Sequence, residues 1–182
     1  MPTDRSIFID SWAFLALANR KDSYHQRAVC GYEEIKEEDD RMVTSDYVLD
    51  EVITSLFKKV NFDGALKFVE AIFLDIKKEH IHLEKIDDER FNYAWLLRSV
   101  YRDKPDISFT DLTSFVVMRD LEITRSFTRD HHFETANLGF EIWPSFSDDC
   151  LMQFDPSRKI FSAIGRNDPK GGPLSWMPFY NL

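Results

Sequence analysis

Short apolar runs alternate with longer amphipathic stretches along most of this sequence. Ser6-Ile7-Phe8-Ile9, Met42-Val43-Thr44, Ile81-His82-Leu83, the alternating 123–128 and Phe140-Glu141-Ile142-Trp143 each have strand length. Residues 12–18, 25–36, 64–75, 89–101 and 109–120 instead carry apolar side chains at helical spacing. Ser45 is placed to cap a helix whose apolar stripe is Val48, Leu49, Val52, Ile53, Leu56 and Val60. Strands that are each followed by a helix return parallel to one another, and a parallel sheet must be covered on both faces. The pattern therefore predicts an α/β fold, a three-layer α/β/α sandwich around a central parallel sheet.

A chain of 182 residues with 43% hydrophobic content supports one good core. Six glycines and no G-x-G-x-x-G or G-x-x-x-x-G-K-[ST] run exclude the glycine loops that cradle dinucleotides and triphosphates. No apolar stretch approaches membrane length, and Met1-Pro2-Thr3-Asp4-Arg5 has no export pattern, so a soluble cytoplasmic protein is expected. Cys30 and Cys150 fit buried thiols rather than a disulfide framework or a metal knuckle. Beyond Trp143 the composition shifts: five of seven Pro and three of six Gly lie there, and four acids balance four bases. Residues 1–143 are thus expected to form the domain and carry the whole −9 charge, with 144–182 an extension of open role. A chain this acidic grips nucleic acid only through a local basic rim or a bound cation.

In open α/β sheets ligands sit beyond the carboxyl ends of the strands. Asp10 and Asp130 both follow strands, although Asp also caps helices and either role suits each of them. Asp111 shares an apolar helix stripe with Phe115 and Met118, where an ionised carboxylate needs a partner or a metal. It also completes a capping box, Ser108-Phe109-Thr110-Asp111, and the two roles are compatible. Asp50 and Glu51 are adjacent acids on one helix, and spacing does not choose between them.

Four segments together carry a resemblance: Ile7-Phe8-Ile9-Asp10-Ser11 with Asp22-x-x-His25-x-x-Ala28; Val43-Thr44-Ser45-Asp46-Tyr47-Val48-Leu49-Asp50-Glu51; Ser108-Phe109-Thr110-Asp111-Leu112-Thr113-Ser114-Phe115; and Phe127-Thr128-Arg129-Asp130-x-His132-Phe133 with Gly139-Phe140. In order and spacing, over roughly 6–143, the chain resembles a PIN domain of the VapC ribonuclease-toxin type. The resemblance places catalytic, metal-binding acids at Asp10, Glu51, Asp111 and Asp130, and so selects Glu51 over Asp50. It implies Mg²⁺, with Mn²⁺ able to substitute, and endonucleolytic RNA cleavage leaving 5′-phosphate and 3′-hydroxyl ends. It also implies a small antitoxin partner and a homodimer. Oxygen-only ligands suit such hard cations, and converging carboxylates repel by about 1–4 kcal/mol per close pair without one. Thr128 is placed to orient Asp130 or a water.

Arg20, Lys21, Arg98, Arg119 and Arg129 are candidates for a phosphate-holding rim. His80 and His82 read as surface residues, and His25 as structural. His131 and His132 stand beside Asp130, but successive side chains are expected to point apart. Leu66, Phe68, Val69, Ile72 and Phe73 read as core or as a dimer surface. The alternative function is a PIN-fold module that binds RNA or protein without cutting, against which retention of all four acids argues. An aspartyl-phosphate phosphatase would want a second acid two residues after Asp10, where Trp12 stands.

Overall fold

Ile7, Phe8 and Ile9 have no exposed surface, as strand residues covered on both faces must be. They belong to β1 (Ser6–Ile9), the middle of a five-stranded sheet in a computed structural model that describes residues 5–144. The elements follow in chain order: α1 (Ser11–Ala18), α2 (His25–Glu37), β2 (Arg41–Ser45), α3 (Asp46–Lys59), α4 (Phe62–Lys77), β3 (Ile81–Glu84), α5 (Asp88–Val100), α6 (Phe109–Asp120), β4 (Arg125–Phe127), α7 (His132–Thr135) and β5 (Glu141–Trp143). Strand order is β3-β2-β1-β4-β5, with every pairing parallel. The expected α/β/α architecture is the one observed. The extension beyond Pro144 lies outside the described residues.

The chain builds outward from β1 to β2 and β3, then crosses back to add β4 and β5 on the other side. The direction of winding reverses between β1 and β4, and open sheets of this kind take ligands in the crevice beyond the carboxyl ends of the strands at such a point. The backbone N–H of Asp10 closes this junction on the carbonyl of Phe127 at 3.3 Å.

Helix α6 is buried along Asp111–Met118, eight consecutive residues, so it runs through the core rather than over it. The hydroxyls of Thr113 and Ser114 are satisfied inside the helix by donating to the Thr110 carbonyl, at 2.8 and 2.9 Å. Phe8, Phe14, Phe115, Phe127 and Phe133 are all fully buried and supply the aromatic part of the core. Phe115 and Phe133 meet edge to face with centroids 5.0 Å apart.

Two expectations are corrected. The strand read over 123–128 is only Arg125–Phe127. Ile123 instead closes α6, its N–H bonding the Met118 carbonyl at 2.8 Å with Glu122 at φ 56°, while the Thr128 N–H turns back to Ser126. Cys30, expected as a buried thiol, is only half-buried on α2. Cys150 lies outside the described residues.

Candidate active site

Two of the acids stand at element ends, Asp10 after β1 and Asp111 in the first turn of α6, and Glu51 lies within α3. Asp10 follows β1 directly, in extended conformation, and its side chain makes no cap hydrogen bond to α1. Helix α3 starts immediately after β2 because Ser45 accepts the Val48 N–H at 3.2 Å, which sets Glu51 two turns in. At the start of α6 the capping box forms as the sequence implies. Asp111 Oδ2 accepts the Ser108 N–H at 2.7 Å, and Ser108 Oγ accepts the Asp111 N–H at 3.0 Å.

Thr128 ties the pieces together. Its hydroxyl, fully buried, donates to Asp10 Oδ2 at 2.7 Å and accepts the Asp130 N–H at 3.0 Å. It therefore orients Asp10 through its side chain and Asp130 through its backbone. Asp130 Oδ1 in turn accepts the His132 N–H at 2.9 Å.

The electrostatics mark this as an uncomfortable place for charge. Burial pushes the Asp10 carboxyl up to about 7; the Thr128 hydrogen bond opposes this, and the charges of Asp111 and Glu51 add to it. Burial likewise pushes Asp111 up to about 6, opposed by Ser108 and reinforced by Asp130 and Glu51. Glu51 thus acts on both Asp10 and Asp111, Asp111 on Asp10, and Asp130 on Asp111. Asp50 is exposed, whereas Glu51 is half-buried, so the structure separates the pair that spacing left open.

Asp10 Oδ1 is buried with no hydrogen-bond partner among the described residues. Such an atom is costly unless something positive completes it. An orphaned carboxylate oxygen amid further carboxylates is a donor set for a hard divalent cation, and the residues fit one. Among the described residues, the ligand atoms that lie within 4.8 Å of one another are those of Asp130, His131 and His132. No three of the four acids are grouped that closely.

The other candidates sort themselves by contact. Arg98 donates to three carbonyls, those of Tyr101, Lys104 and Ile107, and serves the α5–α6 loop rather than a rim. Arg119 donates to the Tyr93 hydroxyl at 2.7 Å. Arg129, beside Asp130, lies 3.7 Å over the Tyr24 ring, an aromatic–guanidinium face that sequence reading missed because the two are 105 positions apart in the chain. Arg20 and Lys21 are exposed. His25 Nδ1 pairs with the Ala16 carbonyl at 2.8 Å, a structural role. His80 and His82 sit on the surface beside Asp75 and Glu84. Contrary to expectation, His131 and His132 do not diverge: their rings lie 4.4 Å apart. Of the Phe-rich stripe on α4, Phe68, Val69 and Ile72 are core, whereas Leu66 is exposed.

A parallel sheet in this order, with acids converging at its switch point, defines a PIN-type nuclease domain. No protein-family model matches the chain. It is 31% identical over 132 residues to the 23S rRNA-specific endonuclease VapC20 of Mycobacterium tuberculosis, in each of two strains, covering 71% of this chain and 93% of the relative. The crystal structure of Mycobacterium tuberculosis VapC20, described as a Sarcin-Ricin loop cleaving toxin, superposes with a TM-score of 0.62 at 28% identity, over 72% of this chain and 95% of that one. The chain belongs to the VapC family of PIN-domain ribonucleases. It is an RNA-cleaving hydrolase, and the reading as a non-cleaving module is not favoured.

Proposed function

We propose that Asp10, Glu51, Asp111 and Asp130 hold Mg²⁺, or Mn²⁺ in its place, and that this site cuts a structured loop of ribosomal RNA. The observation that carries the reading is Asp10 itself: buried, with one oxygen orphaned and its carboxyl driven up by burial and by two neighbouring acids. When bound, the cation supplies a Lewis acid for the phosphate and lowers the pKa of a water nucleophile. The protein's own work is positional. Thr128 and the Ser108 capping box fix one oxygen each of Asp10 and Asp111, leaving the second oxygen of each carboxylate for the ion. Arg129, with Arg20 and Lys21, supplies the positive rim that an otherwise acidic surface needs to receive RNA.

The substrate reading follows the relative, whose name specifies 23S rRNA, and implies a cytoplasmic location where ribosomes are found. No helix among the described residues is long and apolar enough to cross a membrane. The family reading also brings a small antitoxin that covers the acidic crevice. Homodimerisation is supported by apolar side chains left bare on α5, among them Trp95 at 62% and Val100 at 66% exposure. Residues 1–143 are proposed as the nuclease domain, with 144–182 an extension.

Digestion of intact ribosomes and of a synthetic ribosomal loop, with and without millimolar Mg²⁺ and with the ends mapped, tests the reading. Metal-dependent cutting at one site, abolished by Asp10→Asn, is expected. Metal-independent or unspecific cutting would overturn it.

A further inference from the structure

Beside the proposed nuclease centre stands a donor set of a different chemical character. Asp130 Oδ1 lies 3.0 Å from His132 Nδ1 and 3.8 Å from His131 Nδ1. A tetrahedral ion with ligand bonds of about 2.0–2.1 Å separates its ligands by roughly 3.4 Å, a value these two distances bracket. His132 Nδ1 is close to Asp130 without hydrogen-bond geometry, and it is buried with no hydrogen-bond partner among the described residues. The carboxylate is held in place meanwhile by the His132 N–H and by Thr128. His131 is 73% exposed at its side chain, so the trio is buried on one side and open to solvent on the other.

We propose that Asp130, His131 and His132 form a second cation site, for a borderline transition ion such as Zn²⁺ rather than Mg²⁺, with a fourth position open to water. Two imidazoles and one carboxylate match the ligand preferences of Zn²⁺, Co²⁺ and Ni²⁺, whereas Mg²⁺ favours oxygen donors in an octahedron. The site shares Asp130 with the proposed nuclease centre, and to that extent rests on the reading above. An ion held here withdraws that carboxylate, so low concentrations of Zn²⁺ restrain Mg²⁺-supported cleavage.

Co²⁺ is the probe, because its visible absorption reports tetrahedral nitrogen and oxygen coordination while Mg²⁺ stays silent. The full chain, titrated with Co²⁺ in millimolar Mg²⁺, is expected to develop that absorption at one equivalent, with Zn²⁺ displacing it. His131→Ala, at an exposed position outside the four acids, should weaken binding at least tenfold and relieve inhibition of cleavage by Zn²⁺. Absence of the spectrum, or binding unchanged in His131→Ala, would overturn the site. A protein that binds Co²⁺ in this way yet never cuts RNA with Mg²⁺ would support the site and refute the nuclease reading.

Discussion

Asp10→Asn should inactivate the enzyme and, without metal at alkaline pH, make it more stable. In the unfolded chain Asp10 titrates near 3.8; in the fold it titrates at about 7. The native state therefore holds a proton that the unfolded state has released across that window, so stability falls as pH rises from 3.8 and the loss is complete just above 7. Some three units at 1.36 kcal/mol each amount to about 4 kcal/mol. Burial of an Asn amide in place of the orphaned Oδ1 gives back about 1–3 kcal/mol, because the new donors lack partners, while its carbonyl oxygen can still accept from Thr128. The net gain is about 1–3 kcal/mol at pH 8, or a Tm rise of roughly 2–10 °C for a domain of this size. At pH 5, where native Asp10 is already neutral, the gain should vanish. Thermal scans of both proteins in EDTA from pH 4.5 to 8.5 measure it. Millimolar Mg²⁺ should then raise the wild-type Tm at pH 8 and leave the variant nearly unmoved. A variant no more stable than wild type at pH 8, or a difference that does not change with pH, would refute the account of a strained carboxylate waiting for a cation.

Arg129→Ala should raise KM for RNA several-fold with kcat little changed, since the guanidinium stacked on Tyr24 lies beside the acids without being one of them; a fall in kcat at constant KM would argue against a rim role. Arg125→Ala leaves Asp40 buried without its 2.7 Å partner and should destabilise by about 3–5 kcal/mol in denaturant titration, with residual activity in the folded fraction. Glu79→Gly relieves a residue at φ 60° that closes α4 and should stabilise by about 1 kcal/mol by the same titration, without affecting cleavage.

The sequence told most about what is periodic and least about what is bridged. Strands β1, β2, β3 and β5 and all the longer helices are legible because their apolar spacing follows burial in a doubly covered sheet. The helix ends are less so. Helices α2, α4 and α6 close through Asp39, Glu79 and Glu122 at positive φ, where glycine would have announced the turn, and this is why the start of β4 is misread. Within the site, Asp10 and Asp111 stand out by position and burial. Glu51 does not, because a half-buried glutamate on a charged helix looks like a solvated one until the fold sets it against Asp10 and Asp111. Thr128 reads as a helper of Asp130 or of a water, since its longer reach, 118 positions back to Asp10, exists only once β1 and β4 lie side by side.

That long reach explains why the fold and the site depend on one another. The β1–β4 pairing is the reversal of winding, so the pair that opens the crevice also delivers Asp10 and Thr128 into hydrogen-bonding distance. Thr128→Val separates the two consequences. The isosteric methyl preserves packing but removes the one hydroxyl that steadies Asp10 and the acceptor for the Asp130 N–H. With the hydrogen bond that lowers its pKa gone, Asp10 should titrate still higher, and the pH at which metal-supported cleavage reaches half its maximum should move up. A Thr128→Ser variant, which restores the hydroxyl, should return the profile toward wild type. If Val and Ser behave alike, Thr128 contributes packing only, and the positioning assigned to its hydroxyl is wrong.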